Sequence, residues 1–598
     1  TVIIYDQTCA TEKRRRRKKG ALADPPRRLH IHTAVCEGCG DCTAQSNCVA
    51  VLPEETPLGR KRRIDQSACN KDATCANGFC PSFVEVRGGR LRRRIGALVG
   101  AAGADSPFHR QVEALPTPAP HRWDGPWDLL VTGVGGTGVI TVGMLVAMAA
   151  HLEGRAASVL DFMGFAQKGG AVLSFVRLAD APERLHQVRI DAQQADAVLA
   201  CDLVVGASPE ALQTVRPGRT RVLANTHEMP VAAALHQPDA DLRAGDLLRR
   251  LELAAGAAQV RTLDAQRLAE DFLGDTVSAN IVALGFAWQL GLVPVERAAI
   301  ERAIELNGVA VRANLDAFAL GRLACADPAA CRALLDEPVL AGPAIEPLDA
   351  LLARGAAHLS AYQNAAWAAR WRTLVDAVRR AEAALPDPGD LPLTRTVATQ
   401  ALRLMAYKDE YEVARLYSDP AFRAGLAAQF EGDYRLTFLM APPLLARPRD
   451  GRPPRKLRLD GRWMTPLLRL LARGKGLRGT RFDPFGHTEE RRTERALIGR
   501  YEAHVHALLA ALAEDAAPAR RALAQRIADL PRTVRGFGHV KLASLALAQA
   551  REAELLHQLD PQRHPAPPHT ATAGQFKGIP IIPMSSVHRS IRQESLSE

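Results

Sequence analysis

Residues 36–48 read CEGCGDCTAQSNC and residues 69–81 read CNKDATCANGFCP, so this short region holds seven of the chain's eleven cysteines. Three cysteines at i, i+3 and i+6 can wrap a loop around one face of an iron–sulfur cube, and a distant Cys-Pro can supply the fourth thiolate. A zinc site normally has two separated cysteine pairs that together supply its four ligands. The third cysteine of the first run would have no role in such a site. The spacing therefore favours iron–sulfur over zinc or disulfides.

The two runs together have the layout of two-cluster bacterial ferredoxins, in which the last cysteine of each run ligates the other cluster. We predict two metal-ligand sets: Cys36, Cys39, Cys42 and Cys80 for the first cluster, and Cys48, Cys69 and Cys75 for the second. Asp72 stands where the second run lacks a cysteine. The second set is one ligand short, so it needs Asp72 or water as the fourth ligand, or a three-iron cluster. Asp72 is either such a ligand or a solvated loop carboxylate, and these alternatives stay open. The predicted cofactors are one or two 4Fe-4S clusters, with 3Fe-4S as the alternative for the second.

The composition is that of a globular protein, with 47% hydrophobic and 24% charged residues in a chain of 598. A chain of this length suggests about three to five domains. It contains no uninterrupted apolar run of about 18 residues, which excludes a membrane span. Low-potential clusters and lone thiols suit a reducing compartment, so we expect a soluble, cytoplasmic protein. The remaining cysteines are expected to be small buried hydrophobes: Cys9, Cys201, Cys325 and Cys331.

The net charge of +12 is concentrated in two basic runs, Lys13–Lys19 and Arg60–Arg63. Neither run contains the interleaved aromatic residues that stack on bases, so nucleic-acid binding is unlikely. Both runs flank or interrupt the cysteine region. We therefore expect this charge to steer an acidic electron carrier toward the clusters, with a merely solvated basic face as the alternative.

A strand, a glycine-rich turn and a helix are predicted in succession over 129–132, 133–138 and 139–151. Gly133, Gly135 and Gly138 match G-x-G-x-x-G, which places free amides of a helix N-terminus near an anion. A following strand over 157–160 ends at Asp161, where a dinucleotide fold places its ribose-binding acid. A second glycine-rich turn over 162–170 then precedes a strand over 171–176. The predicted phosphate-binding residues are Gly133, Gly135, Gly136, Thr137, Gly138, Lys168, Gly169 and Gly170.

Strands over 203–206 and 221–224, with helices between them, extend this pattern to about Arg322 and predict a doubly wound α/β domain. Ser208 before Pro209 is expected to cap a helix. His227 is expected to be a structural loop histidine, with a ligand or base as the alternative. From about residue 343 the pattern is helical; Trp367, Trp371, Leu374 and Val378 are predicted to form one apolar helix face.

The cysteine region followed by Gly133–Val139 and Lys168–Gly170 resembles the 2-oxoacid:ferredoxin oxidoreductases, whose gamma domain carries two glycine turns. The domain order looks most like the C-terminal half of the single-chain indolepyruvate branch. The resemblance covers about residues 1–557, and it includes a segment over 531–541. We expect helix-terminal packing for Arg535 and His539 there, with ligand contact as the alternative.

The resemblance implies the oxidative decarboxylation of 2-oxo acids to acyl-coenzyme A, with electrons passed singly through the clusters to ferredoxin. In that family thiamine diphosphate and Mg sit on a Gly-Asp-Gly motif, which this sequence does not contain. The implied partners are ferredoxin and a thiamine-binding half or subunit, and a homo-oligomer is expected. We predict no catalytic residue in this chain, coenzyme A as co-substrate, and no activity without the thiamine-binding half. The alternative is a free-standing iron–sulfur redox adaptor whose α/β domain binds a nucleotide.

The predicted fold class is α/β and α: a two-cluster ferredoxin-like module, a doubly wound α/β gamma domain and a C-terminal helical domain. Because the chain opens at Thr1 with a pattern typical of a strand already under way, we expect a fragment. The predicted divisions are an upstream thiamine-domain end with a basic connector (1–30), the ferredoxin-like domain (31–88), a linker (89–127), the gamma-type domain (128–322), a linker (323–342), the helical domain (343–557) and a disordered tail (558–598).

Overall fold

The computed structural model describes residues 8–92, 106–163, 170–228, 237, 239, 244–334, 346–442 and 455–566. Several predictions lie outside these residues, wholly or in part. They include the strand pattern at the start of the chain (2–5), residues 93–105 of the 89–127 linker, residues 164–169 of the second glycine-rich turn with Lys168 and Gly169, the part of the 323–342 linker from 335 onward, and the tail from 567 onward.

The cysteine module consists of small strand pairs around short turns. Its elements are helix α1 (Ala10–Lys18), strand β1 (Arg27–Ile31), helix α2 (Asp41–Ser46), strands β2 (Val51–Glu54) and β3 (Lys61–Ile64), a 3-10 turn (Thr74–Asn77), and strands β4 (Phe83–Arg87) and β5 (Arg90–Leu91). Strand β1 is antiparallel to β4, and β2 is antiparallel to β3. The basic run at 13–19, predicted as a connector, is largely the helix α1, in which Glu12 pairs with Arg15 and Arg16.

A six-stranded sheet forms the middle of the chain. Its elements are α3 (Pro107–Glu113), β6 (Trp127–Val134), α4 (Val139–Leu152), β7 (Ala156–Met163), β8 (Ala171–Ala179), β9 (Ala197–Ala200), α5 (Leu203–Gly206), α6 (Pro209–Leu212), β10 (Arg221–Asn225), α7 (Ala244–Ala255), β11 (Val260–Leu263), α8 (Ala265–Leu273), α9 (Ala279–Gln289), α10 (Arg297–Asn307), α11 (Val311–Ala326) and α12 (Pro328–Ala333).

The strand order of this sheet is β11-β10-β9-β6-β8-β7. Strands β6, β9, β10 and β11 are parallel, whereas β8 is antiparallel to both β6 and β7. The sheet is therefore mixed, and the predicted doubly wound α/β domain has an antiparallel strand near this edge. The strand predicted at 203–206 is also wrong: the Asp202 side chain accepts a hydrogen bond from the Val205 amide and starts α5, and the strand is β9.

The core of this domain depends on close helix packing. A Cβ added at Gly285 in α9 would lie 2.1 Å from the Phe318 carbonyl oxygen, and one at Gly321 in α11 would lie 2.0 Å from that of Val282. Phe108 and Val112 of α3 are buried in the same core, so part of the predicted linker at 89–127 docks on the domain. Helix α11 continues to Ala326 and α12 follows, so the first part of the predicted linker at 323–342 is helical.

The C-terminal part is helical with three strands. Its elements are α13 (Leu348–Tyr362), α14 (Ala365–Ala383), α15 (Pro392–Met405), α16 (Glu410–Ser418), α17 (Pro420–Gln429), β12 (Phe430–Glu431), β13 (Arg435–Met440), β14 (Leu457–Asp460), α18 (Gly461–Arg473), α19 (Glu489–Glu514), α20 (Pro518–Ala528) and α21 (Gly538–Leu559). The apolar face predicted around Trp371 is buried in α14.

These three strands were not predicted, and they join the C-terminal part to the cysteine module. Strand β13 is antiparallel to β4, with Phe438 opposite Val84, and it also pairs with β14. The result is one four-stranded sheet of order β1-β4-β13-β14. The helical region thus builds half of the sheet on which the cysteine loops rest. No helix in the described ranges is long and apolar enough to cross a membrane.

Candidate iron–sulfur centres

Four cysteines from two distant segments line one cavity, which we call the first cavity. They are Cys36, Cys39, Cys42 and Cys80, the set predicted for the first cluster. The loop that carries three of them turns through Gly38 and Gly40, whose φ angles are +66° and +79°. A Cβ at Gly38 would lie 2.1 Å from the carbonyl oxygen of Arg60, the residue before β3, so the close approach of this backbone to the loop requires glycine.

The other three cysteines of the region, together with Asp72, line a separate cavity, which we call the second cavity. Its cysteines are Cys48, Cys69 and Cys75. Asp72 is exposed, and its Oδ1 accepts hydrogen bonds from the Thr74 amide (3.1 Å) and hydroxyl (2.9 Å). Asp72 therefore lines the predicted site while it also closes a local turn, and both interpretations of this carboxylate remain predictions.

Burial governs the acidity of these thiols. It raises the pKa of Cys36, Cys39 and Cys42 above the ordinary thiol value, and that of Cys75 to about 12. A bound metal must displace these protons, because only the thiolate is a metal ligand. In a four-iron cluster each thiolate binds a different iron atom. Among the described residues, no three His, Cys, Asp or Glu side chains form a group that could hold a single metal ion.

The basic run at 60–63 is largely inside the protein. Lys61 and Arg62 belong to β3 and are each 5% exposed, and Arg62 lines the first cavity. The expectation that this run steers an electron carrier from the surface is therefore wrong for Lys61 and Arg62. Burial and the neighbouring Lys408 ammonium lower the pKa of Lys61 to about 7. Although burial opposes it, the charges of Lys408 and Lys61 hold the pKa of Glu37 below its usual range.

The C-terminal domain holds the loops of the first cavity in place. The Lys408 ammonium donates to the Cys36 carbonyl (3.1 Å) and to Glu37 (2.5 Å). The Tyr417 hydroxyl donates to the Pro81 carbonyl (2.7 Å), directly after Cys80. Neither residue was predicted, because both lie more than 300 positions from the cysteines they support.

The segment at 531–541 also contacts the cysteine loops. The sequence left packing and ligand contact open for its residues Arg535 and His539. The buried Arg535 guanidinium donates to the Gly38 carbonyl (3.3 Å) and to Asp239 (2.6 Å). The His539 ring lies 5.0 Å from that of Phe79, centroid to centroid. Arg535 and His539 therefore contact residues of the cysteine loops, and the choice between packing and ligand contact stays a prediction.

The second cavity is bounded by other parts of the chain. Arg17 of α1 donates to the Asn70 carbonyl (2.5 Å), and Lys71 pairs with Asp24 (2.5 Å). Arg63, next to the lining residue Ile64, pairs with Glu270 of the α/β domain (2.8 Å). The N-terminal helix therefore contacts the lining of this cavity, and the α/β domain contacts the neighbouring strand β3.

The glycine-rich turn after β6 has the conformation that its sequence requires. The φ angles of Gly136 and Gly138 are +85° and +96°, and a Cβ at Gly133 would lie 2.6 Å from the Val139 side chain. The Gly135 amide donates to the Gly170 carbonyl (2.8 Å), so the start of the turn meets the residue before β8. Asn280 of α9, which the sequence did not reveal, donates to the Thr137 carbonyl (3.0 Å).

The position of Asp161 argues against a nicotinamide or flavin site of the usual kind. In a dinucleotide fold, the strand with the ribose-binding acid lies next to the strand that precedes the glycine turn. Here the antiparallel β8 lies between β6 and β7, and Asp161 pairs with Ser174 within the sheet.

His227 Nδ1 lies 3.5 Å from Asp264, a contact within the loops after β10 and β11.

Residues 128–324 match the family model described as pyruvate ferredoxin/flavodoxin oxidoreductase. Residues 348–554 match a family of unknown function, DUF6537. The indolepyruvate oxidoreductase subunit IorB of Pyrococcus horikoshii is 25% identical over 198 residues, 33% of this chain and 94% of the relative. Its counterpart in Methanothermobacter thermautotrophicus is 27% identical over 34% of this chain and 98% of the relative.

A solved structure also aligns with the chain: the gamma subunit of keto/oxoacid ferredoxin oxidoreductase from Geobacter sulfurreducens. It is 23% identical, with 33% of this chain and 98% of the other covered and a TM-score of 0.24. The family match over residues 128–324 and the curated relatives support the predicted resemblance to the 2-oxoacid:ferredoxin oxidoreductases.

Proposed function

We propose that this chain is the electron-transfer and gamma portion of an indolepyruvate, or aryl 2-oxo acid, ferredoxin oxidoreductase. The observation that carries the proposal is the first cavity, where four cysteines from positions 36–42 and 80 converge. Their spacing is that of a ferredoxin cluster. The proposed ligands of the second cluster are Cys48, Cys69 and Cys75, with Asp72 or water at the fourth iron.

Bound clusters would accept electrons one at a time and pass them to ferredoxin. The chain's own part is to keep the thiolates buried and to fix their loops through Gly38, Lys408 and Tyr417. Thiamine diphosphate, which supplies the carbanion chemistry in this family, has no Gly-Asp-Gly site in this sequence. We therefore assign decarboxylation to a thiamine-binding half or subunit.

The glycine turn after β6 is proposed to take a phosphate-bearing group. The positive φ angles of Gly136 and Gly138 leave the backbone open at the start of α4, where helix amides favour an anion. Because Asp161 is displaced by β8, coenzyme A or the partner's diphosphate fits this turn better than NAD.

The test is an anaerobic assay of ferredoxin reduction with indolepyruvate, thiamine diphosphate, Mg²⁺ and coenzyme A. The purified chain alone should show no turnover, and adding a thiamine-binding subunit of the family should produce it. A Cys325→Ala variant, changed outside the cysteine module, should behave like the wild type. Turnover by the chain alone would refute the proposed division of labour. Micromolar NAD binding by calorimetry, without any response to the thiamine-binding subunit, would support a redox adaptor instead.

A further inference from the structure

The Lys456 side chain is an unusual charge in the interior of the protein. Its Nζ atom is buried and has no hydrogen-bond partner among the described residues. The ammonium lies 4.8 Å from the centroid of the Phe83 ring, and Phe83 lines the first cavity. The acidic groups near enough to act on its charge are Cys80, Cys42, Asp41 and Cys75. Three of these four are proposed cluster ligands, two of them in the first cavity.

A buried ammonium without a partner is costly, because water no longer solvates it. A cation–π contact with Phe83 offsets only part of that cost. Apart from Asp41, the remaining neighbours are thiols, which carry no charge until a metal displaces their protons. An iron–sulfur cluster held by four thiolates is an anion, so a bound cluster would add negative charge beside Lys456. A buried lysine with no hydrogen-bond partner among the described residues is thus an independent observation that points to an anionic group in the first cavity.

Lys456 comes from the domain whose family has no assigned function. It directly precedes β14, which joins the sheet of the cysteine module through β13 and its pairing with β4. The same domain contributes Lys408 and Tyr417 to the loops of the first cavity. The added strands therefore bring a positive charge from a distant part of the sequence to the side of the cysteines.

We propose that the domain at 348–554 tunes the clusters, and that Lys456 makes the first cluster the stronger electron acceptor of the two. This inference rests on the proposed function, since it requires clusters in both cavities. Reduction adds one negative charge to a cluster, and a nearby cation stabilises that charge and raises the reduction potential. The Phe83 ring beside the Lys456 ammonium lines the first cavity and not the second, so the larger influence of Lys456 falls on the first cluster. An electron shared by the two clusters should then reside mainly on the first.

The experiment is a redox titration of the purified full chain, followed by electron paramagnetic resonance. The Cys39→Ser variant identifies the signal of the first cluster by removing it. In Lys456→Gln the first midpoint should shift to more negative potential, with the reduced fraction at a fixed potential falling about tenfold or more. The second midpoint should move less. Lys456→Arg, which keeps the charge, should titrate like the wild type.

Lys475→Gln is the matched control, because it removes a lysine of the same domain that donates to the Ala361 carbonyl, away from the cysteines. Iron and sulfide contents at the wild-type level show that each variant is folded and loaded. Unchanged midpoints in a fully loaded Lys456→Gln protein would overturn the inference and leave the proposed function intact. A wild-type chain without iron and sulfide would instead overturn the proposed function itself.

Discussion

The two cysteine cavities are built from the same kind of loop but differ in their thiols and in their supports. The first is lined by four cysteines, and Lys408 and Tyr417 of the C-terminal domain donate hydrogen bonds to its loops. The second is lined by three cysteines and the exposed Asp72, and Arg17 of α1 donates to its lining residue Asn70. The cavity with the full set of thiols is thus the one whose loops the C-terminal domain holds, and the missing thiol of the other falls on an exposed loop.

This difference predicts two clusters of different stability. A fully thiolate-bound cluster that is shielded from solvent should resist oxidation. An iron held by a carboxylate or water is bound by a harder and more readily displaced ligand. The predictions below test that contrast in order of decreasing effect.

The largest effect is expected for Cys39→Ser, which removes one of four ligands from the first cavity. We expect the loss of about four irons per chain, while the second cluster stays. Iron and acid-labile sulfide analysis measures the loss, and Cys325→Ala is the control for a cysteine elsewhere. If the variant keeps its full iron content, Cys39 is not a ligand.

A smaller but still local effect is expected for Gly38→Ala. Its φ is +66°, and an added Cβ would meet the Arg60 carbonyl oxygen at 2.1 Å, so the loop must move. Occupancy of the first cluster should fall while that of the second does not, as measured by the two paramagnetic signals. Gly59→Ala is the matched control, because its φ is +88° but a Cβ there would meet no atom within 4 Å. Equal losses in both variants would show that backbone strain alone, not the contact with Arg60, is responsible.

Asp72→Cys addresses the second cavity and should change the cluster type rather than the occupancy. In the wild type, mild oxidation should convert the second cluster from a four-iron to a three-iron form. An added thiolate should suppress the three-iron signal in electron paramagnetic resonance, with the first cluster unaffected. Identical signals in wild type and variant would place Asp72 outside the cluster and leave it as the turn-forming carboxylate that contacts Thr74.

The smallest effect is expected for Tyr417→Phe, which removes only the hydrogen bond to the Pro81 carbonyl. The change should destabilise the protein by about 1 kcal/mol. Urea unfolding followed by the visible absorption of the clusters measures it, with the first cluster lost at lower urea than in the wild type. Tyr501→Phe is the control, because it removes a similar bond to the Ala528 carbonyl, away from the cavities. If both variants lose the first cluster at the same urea concentration, Tyr417 has no specific role there.

The sequence predicted the parts of the fold that depend on local spacing. The cysteine spacing separated the two ligand sets that line separate cavities, and the glycine turn, α4 and β8 lie where the pattern placed them. Short apolar runs were less informative. The run at 203–206 fits a strand or a helix equally well by periodicity, and the Asp202 cap decides for the helix.

Sequence reasoning failed where contacts join distant parts of the chain. Strand order is not encoded in the period of any one strand, so the insertion of β8 between β6 and β7 was missed. Lys408 lies 372 positions from Cys36, and Lys456 follows a similarly long stretch of chain. Lysines are common and usually solvated, so nothing in their local sequence marks these two as neighbours of the cysteines.

The central claim, that the two cavities hold iron–sulfur clusters of unequal stability, is tested most directly by metal analysis of the full chain purified without oxygen, before and after mild oxidation. We predict about eight irons per chain before oxidation and a loss of about one iron afterwards, with a three-iron signal and an intact first cluster. Zinc in place of iron, or a chain that binds neither iron nor sulfide, would contradict the account.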